Sequence, residues 1–119
     1  MRIFKYTWFA RYARKENISD NELREAVNQL EAGQAVYLGG NVYKVRIARS
    51  GEGKSGGHRV IVLFRSGERT FYMYGFAKSA MDNISEKELR KFKKLAKKNI
   101  LMPVEQLEDM IKDGQLIEL

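Results

Sequence analysis

Apolar positions change their period twice along this chain of 119 residues. Residues 2–6 alternate and predict a short first strand. Trp8, Phe9, Tyr12 and Ala13 then recur at helical spacing, with Thr7 placed to cap the helix. Ser19 and Glu22 form a capping-box signature for a second helix, which buries Leu23, Ala26, Val27 and Leu30 and stops at Gly33. From there the period falls to two. Strands are predicted at 35–38, 42–48, 58–65 and 69–77, separated by Gly39-Gly40-Asn41, a glycine-rich connection over 50–57, and Ser66-Gly67-Glu68. Ser85 with Glu88 opens a third helix running through Lys98, and Pro103 suits the start of a short last helix ended by Gly114. The order β-α-α-β-β-β-α-α predicts one α+β domain over residues 1–119, an antiparallel β-sheet with helices packed on one face.

Alternation also assigns faces. On 42–48, Tyr43, Val45 and Ile47 oppose Lys44 and Arg46, and buried Lys and Arg are rare, so the charged face should meet solvent or a ligand. Residues 58–65 are apolar on both sides, with Val60, Val62 and Phe64 opposing Arg59, Ile61 and Leu63, as suits a central strand. Arg59 and Arg65 stand in parity at its two ends. On 69–77, Phe71, Met73 and Gly75 form one face, and Tyr72, Tyr74 and Phe76 the other. Cations beside aromatic rings suit phosphates and unstacked bases together. The plain alternative for each residue alone is a solvated cation or a packing ring.

Charge sharpens this picture. Residues 41–78 hold eight basic side chains (Lys44, Arg46, Arg49, Lys54, Arg59, Arg65, Arg69, Lys78) against Glu52 and Glu68, so six of the seven net positive charges lie there. Such a concentration is an electrostatic footprint for a polyanion. Several chemistries are excluded by count. There is no cysteine, hence no disulfide framework and no thiol nucleophile, and His58 is the only histidine, so a paired-His ribonuclease is ruled out. No metal site or cofactor is expected. The run Gly51-Glu52-Gly53-Lys54-Ser55 lacks the earlier glycine of a nucleotide-binding loop, since Ala48 stands there, and it leads into a strand instead of a helix. What remains is a cationic connection able to fold over a bound backbone. No apolar run reaches a membrane span and the first residues are interrupted by charge, so a cytoplasmic protein is expected.

The central block resembles the RelE/HigB-like toxins of bacterial type II toxin–antitoxin systems. The run Gly53-Lys54-Ser55-Gly56-Gly57-His58-Arg59 is similar to one branch of them, as are Tyr74-Gly75-Phe76-Ala77-Lys78, Asp82-Asn83-Ile84 and Glu86-Lys87-Glu88-Leu89. Trp8-Phe9-Ala10-Arg11 and the tail Gly114-Gln115-Leu116-Ile117-Glu118 fit as well, so the likeness covers nearly the whole chain. His58 departs from it, because that branch more often has Tyr or Phe. The resemblance implies a microbial-ribonuclease-like fold and an endoribonuclease that cuts mRNA in the ribosomal A site by 2′-hydroxyl attack, without a metal. It also implies an antitoxin partner, usually of the helix-turn-helix type. By motif position Lys44, Arg46, Arg59 and Lys78 are candidate catalytic residues, with Tyr74 added as a candidate for stacking or proton transfer, and Lys54, His58, Arg65 and Phe76 are the candidate RNA-binding residues. Two other readings share the same basic sheet: a non-catalytic RNA- or ribosome-binding module, and a degenerate toxin that keeps only antitoxin binding.

Overall fold

The computed structural model describes residues 1–48, 57–78 and 83–119. Lys54 and the glycine-rich run as far as Gly56 lie outside the described residues. Four antiparallel strands form the meander expected from the turns: β2 (Val36–Gly39), β3 (Val42–Ile47), β4 (His58–Arg65) and β5 (Arg69–Ala77). The β2–β3 turn needs left-handed backbone at three successive residues, with φ of 94° at Gly39, 59° at Gly40 and 64° at Asn41, which two glycines and an asparagine tolerate at little cost.

The α+β class holds, the meander has four strands where the order β-α-α-β-β-β-α-α allows three, and three further details differ. First, β1 (Arg2–Tyr6) joins the far edge of the meander parallel to β5, so the six-stranded sheet is mixed, with order β2-β3-β4-β5-β1-β6. Tight turns reveal only antiparallel neighbours; β1 and β5 are far apart in sequence, and no turn dictates their relative direction. Second, three residues of the tail, β6 (Leu116–Glu118), pair antiparallel with β1 and form the other sheet edge. A strand that short carries almost no periodic signal.

Third, helices cover both faces instead of one. α1 (Thr7–Lys15) and α2 (Asp20–Glu31) enclose one core with Val45, Ile47, Val60, Val62, Phe64 and Tyr72, while α3 (Glu86–Asn99) and α4 (Val104–Lys112) enclose another with Val42, Ile61, Leu63, Phe71, Met73 and Phe76. The cause is β4, whose alternate residues are apolar on both sides; a single helical layer would leave Ile61 and Leu63, or Val60 and Val62, in water. Side-chain caps set the helix starts. Ser19 and Glu22 form the full capping box of α2, and Ser85 accepts from the Glu88 backbone N–H at 3.1 Å to open α3. Thr7 is the first helical residue of α1 and not its cap, and its hydroxyl donates instead to the Gly114 carbonyl beside β6. Arg69, at the start of β5, donates to the carbonyls of Asn99 (3.1 Å), Ile100 (3.3 Å) and Met102 (2.6 Å). This satisfies the orphan acceptors at the end of α3 and fixes that end against the start of β5.

A bulge in β5 reassigns its side chains. Val62 stands opposite Tyr72, yet the adjacent Ile61 stands opposite Tyr74, leaving Met73 as the extra residue. Tyr72 therefore points into the α1–α2 core, where its hydroxyl donates to the Leu23 carbonyl, while Tyr74 and Phe76 turn to the α3 side. Strict alternation would have put all three on one face.

Gly75 faces α1, and a Cβ there would lie 2.5 Å and 2.6 Å from ring carbons of Tyr12. Gly75→Ala should destabilise the protein by about 1–3 kcal/mol, read from urea denaturation; an unchanged midpoint would mean that α1 shifts without cost. The sheet edge has a pH-dependent clamp. Arg2 donates to Glu118 at 2.8 Å and to Glu108 at 3.0 Å, and the Arg2 bond holds the Glu118 carboxyl below its ordinary value against the opposing effect of burial. A depressed carboxyl stabilises the fold above its unfolded value of about 4.3 and loses that contribution as pH falls through the lower folded value. Arg2→Gln should therefore flatten the stability profile over that acid window, by less than about 1 kcal/mol because the pair is partly exposed.

Candidate nucleic-acid interface

Register brings the cations together. Arg46 on β3 pairs directly with Arg59 on β4, and Arg59 with Phe76 on β5; one step along, Lys44 pairs with Ile61 and Ile61 with Tyr74. Cross-strand partners share a face, so Lys44, Arg46, Arg59, Tyr74 and Phe76 all stand on the α3 side. Arg59 is only 4% exposed, whereas Arg46 is exposed and Lys44 half-buried. Burial and, after it, the charge of Arg46 hold the Arg59 guanidinium below the ordinary arginine value. Two guanidinium side chains on directly opposed positions repel each other and both attract an anion, strongly so in a partly dehydrated setting.

The remaining candidates divide by position. Lys78 is exposed one residue beyond β5, and its backbone N–H donates to the Gly57 carbonyl at 3.3 Å, so it sits at the same end of the sheet as Arg59. Tyr74 is half-buried between Phe76 and Phe92, with ring centroids 6.0 Å and 6.1 Å away. Phe76, a candidate RNA-binding residue, is 4% exposed and packs in the α3–α4 core. His58 points to the opposite face. It is 1% exposed, shares a 2.6 Å hydrogen bond with the Tyr12 hydroxyl and meets that ring edge-on. Arg65 stands on the same face as Arg59 but six residues along β4, roughly 20 Å at strand spacing, and is ion-paired with Glu68 at 2.7 Å.

One end and one face thus gather Lys44, Arg46, Arg59 and Tyr74, with Lys78 beside them. His58 and Arg65 are not brought into that group, and Phe76, though opposite Arg59 in register, is buried in the α3–α4 core. Sequence reasoning also missed Gln29 and Gln34, which line a depression of about 470 Å³ with Lys44 and Arg46. The packing of α2 on β3 brings Gln29 there, and Gln34 arrives just ahead of Val36, which pairs with Lys44 across the β2–β3 hairpin. Among the described residues no group of three His, Asp or Glu is placed to hold a metal ion, and no helix is long and apolar enough to cross a membrane.

The family model for the RelE toxin of the RelE/RelB toxin–antitoxin system matches residues 1–119. The chain belongs to the RelE toxin family. That family is generally one of endoribonuclease toxins, and it implies an antitoxin partner. The mixed sheet with two helical layers is compatible with the RelE-like fold.

The like-charge row gives a prediction in which stability and binding move in opposite directions. Arg46→Ala should raise folding stability by roughly 0.2–1 kcal/mol, toward the low end because Arg46 is exposed. It should also weaken binding of single-stranded RNA and reduce the salt slope of that binding by about one contact. Loss of stability on urea denaturation would show that Arg46 makes a favourable contact in the unliganded protein.

Proposed function

We propose that the protein is the toxin of a type II toxin–antitoxin system and acts as a ribosome-dependent endoribonuclease, cleaving mRNA in the A site and so inhibiting translation. The observation that carries this reading is the cross-strand Arg46–Arg59 pair, with Lys44 one step along the strand and Lys78 at the same sheet end. In the reaction, the 2′-oxygen forms a bond to the adjacent phosphorus, the bond to the 5′-oxygen breaks, and the products are a 2′,3′-cyclic phosphate and a 5′-hydroxyl. Negative charge builds on the five-coordinate phosphorus. Arg59, buried and held in register, supplies a fixed cation for it, which is the kind of contribution that dominates many such reactions. Lys44 or Arg46 holds the backbone and assists removal of the 2′-proton, Lys78 clamps a second phosphate, and Tyr74 is the candidate for returning a proton to the 5′-oxygen.

These side chains can position phosphates, but the attacking oxygen must also be held in line with the bond that breaks. The ribosome supplies that orientation by holding the mRNA in the A site, and effective concentration rises steeply when reacting groups are fixed. A cytoplasmic location follows from this substrate, and the antitoxin would be of the helix-turn-helix type.

The test is to induce the wild type, an Arg46→Ala variant and an Arg59→Ala/Lys78→Ala variant, and to map mRNA 5′ ends. New ends within codons should appear with the wild type, and purified Arg59→Ala should cleave mRNA on programmed ribosomes about 10²–10³-fold more slowly. Growth arrest by the wild type without new mRNA ends would instead identify a non-catalytic ribosome binder. No arrest at all would identify a toxin that retains only antitoxin binding.

A further inference from the structure

A second concave site lies away from the cation row, between the start of α1, the second half of α3 and the end of α4. It measures about 430 Å³, and its lining includes Tyr6, Trp8, Leu95 and Met110 together with two cations, Arg11 and Lys98; none of the described residues lining it carries a carboxylate. None of the candidate RNA-contacting residues lines it either. Its walls are held by bonds that consume their polar atoms. The Trp8 indole N–H donates to the Met73 carbonyl, the Asn99 amide donates to the Tyr6 hydroxyl, and the Thr7 backbone N–H reaches the Gln115 carbonyl at 3.2 Å. Trp8 stacks on Tyr6 with centroids 4.4 Å apart, yet remains 46% exposed. The groove is therefore preformed and apolar within, with fixed walls.

We infer that this groove is the docking site for an acidic segment of the antitoxin, one that inserts a large apolar side chain and places carboxylates against Arg11 and Lys98. Trp, Tyr, Met and Arg are the residues enriched where protein interfaces concentrate their binding energy. Leu95 and Met110 make an aliphatic wall, whereas an RNA base would call for an open platform of rings. Charge complementarity points the same way, since a chain of net charge +7 with two cations at the groove and no lining carboxylate favours an acidic partner. The inference rests on the toxin reading, which supplies the antitoxin, and does not depend on RNA cleavage.

Trp8 is the only tryptophan, so 5-fluorotryptophan gives the whole protein a single ¹⁹F resonance located in the groove. Addition of the unlabelled cognate antitoxin should shift that resonance, and the exposed double variant Arg11→Glu/Lys98→Glu should bind antitoxin at least tenfold more weakly by calorimetry. The variant should keep the wild-type thermal midpoint and any mRNA cleavage the wild type shows. An unmoved resonance at saturating antitoxin, or wild-type affinity of the double variant, would overturn the proposal. So would a shift produced by a single-stranded RNA oligonucleotide and not by antitoxin. A wild type that never cleaves mRNA would overturn the nuclease reading and leave this one to be decided by the binding data.

Discussion

Seven of the eight residues of β4 are buried, and they are apolar on alternate sides of the sheet from Val60 to Phe64. That strand cannot be covered by one layer. The two helical pairs, one on each face, are the consequence, and both cores meet across it. At roughly 25 cal/mol per Å² of apolar surface removed from water, leaving either face open would forfeit a large part of the stability of a chain this size. The central position of β4 also forces β3 and β5 onto its two edges, and this sets every cross-strand pair in the candidate site.

Electrostatics enter where that cover ends. Arg59 is the first inward-facing residue of β4 on the α3 side, and its neighbours in register are Arg46 and Phe76. Burial and the like charge opposite both hold its guanidinium below the ordinary arginine value. The same two features raise its attraction for phosphate. The bulge at Met73 completes the arrangement by turning Tyr74 toward this face, while Tyr72 stays in the opposite core. Beneath it, Tyr12 and His58 hold the start of β4 against α1, with Gly75 leaving room for the Tyr12 ring. His58 thus serves the fold under the site and is not part of its surface.

The cation row and the groove beside Trp8 share no lining residue. The cation row is the surface proposed for a nucleic-acid backbone, on the grounds of charge and register. The groove beside Trp8, with its apolar lining and two cations, is the one proposed for a protein segment. Their separation matters because a partner gripping the groove need not compete residue by residue with RNA for Arg46 and Arg59.

Local physics made much of this legible from residues alone. Both serine caps, the glycine turns, the four strands of the meander and the central character of β4 depend on short-range rules, and the structure bears them out. The faces of Lys44 and Arg46 were readable from β3 because that strand alternates without interruption. What only the tertiary structure decided involves partners distant in sequence. The parallel docking of β1 on β5, the pairing of β6, the two-sided helical cover and the Met73 bulge each depend on which surfaces remain to be buried once the meander has formed. The same holds for the site. Charge identity is written in the sequence, but the proximity of Arg46 to Arg59, the remoteness of Arg65 and the burial of His58 and Phe76 follow from register and packing, and those are set by the whole fold.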